Sequence, residues 1–114
     1  MSDEVQSISV ADLIEAGLLR HTARLHGYYG QLRIEATLKR DGTFVCDEVV
    51  SSSPSVAAGR AITAKSGQRT PGRTYLSVNG WIFWRVTGRG ENARTLADLR
   101  RELVETRQRL AGRS

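Results

Sequence analysis

The sequence predicts an α+β fold: a small antiparallel sheet of about four to five strands packed with three helices. Three observations predict it. Leu32, Ile34, Ala36 and Leu38 alternate with Arg33, Glu35, Thr37 and Lys39, the period-two pattern of a strand with one wet face. The segments at residues 10–18 and 96–110 instead space their apolar residues three to four apart, which is the helical period. Two turn dipeptides, Asp41-Gly42 and Asn79-Gly80, lie inside strand-like runs, where a hairpin needs them. A chain of 114 residues makes one small domain.

Residues 1–7 are acidic and polar. They are expected to be a disordered leader and do not resemble a signal peptide. The first helix follows. Ser9 is its N-cap, Asp12 sits in its first turn, and Val10, Leu13, Ile14 and Leu18 form its apolar stripe. "ARLHGYY" reads as a strand, and the hairpin through Asp41-Gly42 adds two more. "SSPSVAAGRAITAKSG" is the second helix, with Ser53 as cap, Pro54 in the first helical position and Ser66-Gly67 at the end. Ala57, Ala58, Gly59 and Ala61 allow a neighbour to approach closely. "GQRTPGRT" is a basic loop. "TYLSVNGWIFWRV" reads as a second hairpin around Asn79-Gly80. In that strand Trp81 and Phe83 point one way, and Ile82, Trp84 and Val86 the other. The unbroken apolar set of Ile82, Trp84 and Val86 is assigned to the core, and Trp81 to the functional side. After a flexible "GRGENAR" comes the third helix, capped by Thr95 with Asp98. Leu96, Leu99, Leu103 and Leu110 share one side and are expected to pack on the sheet. The body is therefore placed at residues 8–92 and the amphipathic C-terminal helix at 93–114.

Several function classes are disfavoured. No apolar run approaches the roughly 20 residues of a membrane span. Cys46 is the only cysteine, so no internal disulfide forms and a reducing, cytoplasmic setting fits. His21, His26 and Cys46 lack metal-ligand spacing. No nucleophile elbow, phosphate-binding Gly-rich loop or carboxylate pair is present. The chain is expected not to be an enzyme and to need no cofactor.

Charge points elsewhere. The net charge is +5, and it is unevenly spread. From Val49 to Gly90 there is no Asp or Glu, while Arg60, Lys65, Arg69, Arg73, Arg85 and Arg89 fall in that span. A one-signed segment builds a field that suits phosphate. The Ser53-capped helix start, with Ser55 beside it, offers backbone N–H groups that can seat one phosphate. The plainer reading is an ordinary cap. The aromatic run offers Trp81 for stacking on a base, beside Asn79. The plainer reading there is core on both faces.

Four segments in this order, "ISVADLIEAGLLRHTARLHGYYGQ", "SPSVAAGRAIT", "VNGWIFWRV" and "LADLR", resemble the restriction enzyme–adenine methylase associated (RAMA) domain over roughly residues 8–100. The resemblance implies a small, non-catalytic α+β module that accompanies restriction enzymes and DNA methylases and binds DNA, including modified DNA. The matching positions are Ser53, Pro54 and Ser55, then Asn79, Gly80, Trp81 and Trp84. One departure is the inserted "GQRTPGRTYLS", whose Arg69 and Arg73 can serve as added DNA contacts. The expected DNA-contacting set is Ser53, Ser55, Arg60, Lys65, Arg69, Arg73, Asn79, Trp81, Arg85 and Arg89, with duplex DNA as the partner. The alternative is a protein-interaction or homodimerisation module using the leucine stripe of the last helix.

Overall fold

The alternating segment does form a strand, and it lies at the centre of the sheet. The computed structural model describes residues 8–20, 22–87 and 94–112. Its elements are α1 (Val10–Glu15), β1 (Arg24–Tyr29), β2 (Leu32–Leu38), β3 (Phe44–Cys46), β4 (Val49–Ser51), α2 (Pro54–Ser66), α3 (Gly80–Phe83), β5 (Arg85–Val86) and α4 (Leu96–Ala111). The sheet order is β4-β3-β2-β1-β5, and every neighbouring pair is antiparallel. The α+β class holds, with a fourth, single-turn helix added. The expected leader (1–7), His21 and most of the flexible link (88–93) lie outside the described residues. Among the described residues no helix is long and apolar enough to cross a membrane.

Pairing register explains the layers. Leu25 faces Ala36, Gly27 faces Ile34 and Leu38 faces Phe44, and all of these residues are buried. Directly opposite residues share a face, so this is the side that the helices cover. Arg24, Tyr28, Arg33, Glu35 and Thr37 on the other side are exposed. The sheet is thus covered on one face and wet on the other.

The helix ends follow their caps. Ser9 with Asp12, and Thr95 with Asp98, close reciprocal capping boxes. The Ser53 hydroxyl accepts from Val56 N at 3.1 Å. Gly67 ends α2 at φ +76°, a left-handed cap that favours glycine. In α4, Leu96, Leu99, Leu103 and Val104 are buried while Leu110 is 61% exposed. This helix rests mainly on α3 and α1. Its buried residues also join the core cluster that holds Leu25 and Ile34 of the sheet.

The second hairpin does not exist. Asn79 is extended at φ −88° and caps α3, its side chain accepting from Trp81 N at 3.0 Å. Residues 67–79 contain no strand. Only Arg85–Val86 join the sheet, beside β1. One turn of helix destroys the assumed alternation. Trp84 is fully buried, as expected, but Ile82 is 61% exposed. Trp84 stacks on Phe44 at 5.9 Å and meets the Phe83 edge at 4.9 Å. The aromatic run is therefore chiefly the keel of the core.

The basic insert is pinned along α2. Thr63 Oγ1 donates to Gln68 O at 2.7 Å and accepts from Leu76 N at 2.9 Å. A Cβ on Gly59 would overlap the Leu76 carbonyl, so glycine is what lets this strand-like segment lie against the helix. On the far side, β3 and β4 are joined by Asp47-Glu48 alone, at φ +49° and +70°. Positive φ at both positions is what a two-residue hairpin turn of type I′ requires.

Candidate nucleic-acid interface

The two motifs that carried the resemblance meet in space and lock each other. Trp84 Nε1 donates to the Pro54 carbonyl at 3.0 Å in a buried bond. Gly80 N donates to Ser55 Oγ at 2.9 Å. A side chain on Gly80 would overlap the Pro54 carbonyl and Ser55 N. The Ser53 hydroxyl is occupied by the cap itself. So Ser53 and Ser55 use their hydroxyls inside the fold, and the start of α2 is covered by α3. Asn79 is engaged as the α3 cap. Trp81 is half-buried, and the Arg100 guanidinium lies over its ring at 4.0 Å. Burial lowers the Arg100 pKa, and its Nε finds no partner among the described residues. This pair pins α4 to α3 by a cation–π contact.

The cations divide into two groups. Arg60 and Lys65 belong to α2, which packs against β3 and β4, and Arg73 lies in the loop after it. There a cleft of ≈ 380 Å³ opens between α2 and the β3–β4 hairpin, and Cys46, Asp47, Ser51, Arg60, Thr74 and Tyr75 are among its lining residues. Lys65 pairs with Asp47 at 3.4 Å. Arg60, Arg69 and Arg73 are exposed, and no hydrogen bond or ion pair engages their side chains among the described residues. Burial pushes the Cys46 thiol up, so it lines the cleft as a small apolar group.

Arg85 is at the opposite edge of the sheet. It pairs in register with His26 and so shares the wet face with Arg33 and Tyr28. Arg33 donates to Tyr28 Oη at 2.8 Å and to Glu35 at 3.0 Å. His26 Nδ1 lies 2.9 Å from Thr87 Oγ1. Burial, then Arg33 and Arg85, lowers the His26 pKa below its usual value, against Glu35. Arg89 lies outside the described residues.

The fold thus sets Arg60 in the cleft lining and Lys65 against Asp47 of that lining, engages Ser53, Ser55 and Asn79 in internal bonds, and sets Arg85 on another surface. Sequence reasoning missed Ser51, Asp47 and Tyr75 as cleft residues. Ser51 is indistinguishable from its serine neighbours in sequence, and Tyr75 sits in an insert with no strand or helix period.

A family model described as Restriction Enzyme Adenine Methylase Associated matches residues 2–109. The comparison with curated proteins found no match.

Proposed function

The chain belongs to the Restriction Enzyme Adenine Methylase Associated family, and from that premise we propose that it is a non-catalytic module that binds duplex DNA as an accessory to a restriction–modification system. The observation that carries this reading is the basic surface at the β4 edge. Arg60, Arg69 and Arg73 project from α2 and its following loop. Among the described residues the Asp47 carboxylate pairs with Lys65, not with these arginines. Exposed arginines without internal partners are free to neutralise phosphates. The loop that carries Arg69 and Arg73 is tied to α2 at Gln68 and Leu76, which keeps its backbone beside the helix. Discrimination of methylated from unmethylated bases is the finer part of the proposal.

Fluorescence anisotropy with a labelled duplex across a salt series tests it. If about four to six phosphates are contacted, log affinity falls against log salt with a slope of about −4 to −5. A slope near zero, or no binding at low salt, overturns the reading. The same duplex carrying N6-methyladenine tests the finer part, and equal affinity for both forms removes it.

A further inference from the structure

We propose that the cleft between α2 and the β3–β4 hairpin receives a nucleobase swung out of the duplex. This rests on the DNA-binding reading and adds the place where a base is held.

Four observations meet there. The first is size and wall shape. The cleft of ≈ 380 Å³ is lined on the α2 side by Ala57, Ala61 and Ala64, whose spacing places them on one helix face. Three methyl groups in a row make a shallow, flat wall. Tyr75, half-buried, lines the cleft from the returning loop. A flat apolar wall and an aromatic ring are what a planar heterocycle packs against.

The second is a polar group on the cleft wall. Ser51 lines the cleft, and no hydrogen bond engages its hydroxyl among the described residues. A ligand edge bearing donors and acceptors would engage it. The Asp47 carboxylate lines the same cleft and can accept from an exocyclic amino group.

The third is charge. Arg60 is part of the lining, Lys65 is held 3.4 Å from Asp47, and Arg73 adjoins the lining residue Thr74. A base that leaves the stack brings its own phosphates to the rim, and these cations are placed to meet them.

The fourth is the turn in the wall. Asp47 and Glu48 hold the positive φ of the two-residue turn between β3 and β4, and this turn sets Asp47 in the cleft lining, paired with Lys65.

The test uses two short duplexes that differ only by one central mismatch, with 2-aminopurine in place of the mismatched base for a fluorescence readout. A mismatched base is easier to extrude. Wild-type protein should bind the mismatched duplex about tenfold more tightly than the paired one, and the 2-aminopurine signal should change on binding. Ala64→Leu adds bulk to the cleft from an exposed helical position. This variant should melt like the wild type and keep its affinity for the paired duplex, but lose the preference and the fluorescence change. Ser51→Ala should weaken the preference several-fold. Equal wild-type affinity for the two duplexes overturns the proposal while leaving DNA binding intact. A preference that survives Ala64→Leu also overturns it. If deoxyadenosine monophosphate binds the wild type but not Ala64→Leu, and no mismatch preference exists, the cleft is a free-nucleotide site and the extruded base is ruled out. Failure to bind either duplex ends both readings.

Discussion

Gly80→Ala should destabilise the protein, although alanine is normally the better helix former by about 1 kcal/mol. The reason is tertiary. Gly80 opens α3 and lies against the first turn of α2, where an added methyl would overlap the Pro54 carbonyl and Ser55 N. The overlap is with backbone, which cannot rotate aside. Forcing one extra carbon into such a contact costs about 1–3 kcal/mol. The displacement also strains two bonds, Gly80 N to Ser55 Oγ at 2.9 Å and Trp84 Nε1 to Pro54 O at 3.0 Å. Each contributes about 0.5–1.5 kcal/mol net. These terms total roughly 2–6 kcal/mol, or roughly 1–5 kcal/mol once the better helix propensity of alanine is subtracted, set against the roughly 5–15 kcal/mol that holds a small domain together. At about 4–8 °C per kcal/mol, thermal melting followed by circular dichroism should fall by at least about 4 °C. An unchanged or raised melting temperature would refute the interlock and leave helix propensity as the governing effect.

Three further outcomes follow from the same contacts. Trp84→Ala should cost about 3–5 kcal/mol, because Trp84 is fully buried and stacked on Phe44. Trp81→Ala should cost roughly 1–2 kcal/mol. Chemical denaturation of the two variants checks the order. Glu48→Gly should raise the melting temperature, since φ +70° in the two-residue turn favours glycine by about 1 kcal/mol. A lowered value would show that the Glu48 side chain supports the turn. His26 has a pKa below its usual 6.5 in the folded state, through burial first and then Arg33 and Arg85. The unfolded chain then binds the proton more readily, so the His26 contribution is complete above pH 6.5 and is lost as pH falls below it. Denaturation between pH 5 and 7.5 should show stability falling on acidification, and His26→Gln should flatten that fall. An identical profile in the variant contradicts this assignment.

Much of the fold was legible because its signals are local. Ser9, Ser53 and Thr95 each cap the helix that follows them, and their side chains reach only three residues along the chain. The β2–β3 hairpin combined strict alternation with Asp41-Gly42, and Gly42 does take φ +87°. Asn79-Gly80 misled because both residues have two uses. Asn caps a helix as readily as it enters a tight turn. Glycine here answers to Pro54, distant in sequence, rather than to its own φ. The candidate site was less legible. Arg60 and Arg85 share an acid-free span, but α2 lies by the β4 edge and β5 forms the other edge. Ser51 is set apart from its serine neighbours by its place in the cleft lining, which a run of three serines does not reveal.

The proposed DNA path runs along the helical side at the β4 edge, over Arg60 and Arg73. The most direct measurement compares the salt dependence of duplex binding for two double variants. Arg60→Ala with Arg73→Ala removes charge at the cleft, and Arg33→Ala with Arg85→Ala removes it from the wet sheet face. Each lost phosphate contact reduces the slope by about 0.9. The slope should be shallower by about 2 for the first variant and unchanged for the second. The reverse result, with the slope lost only on the sheet face, would contradict it.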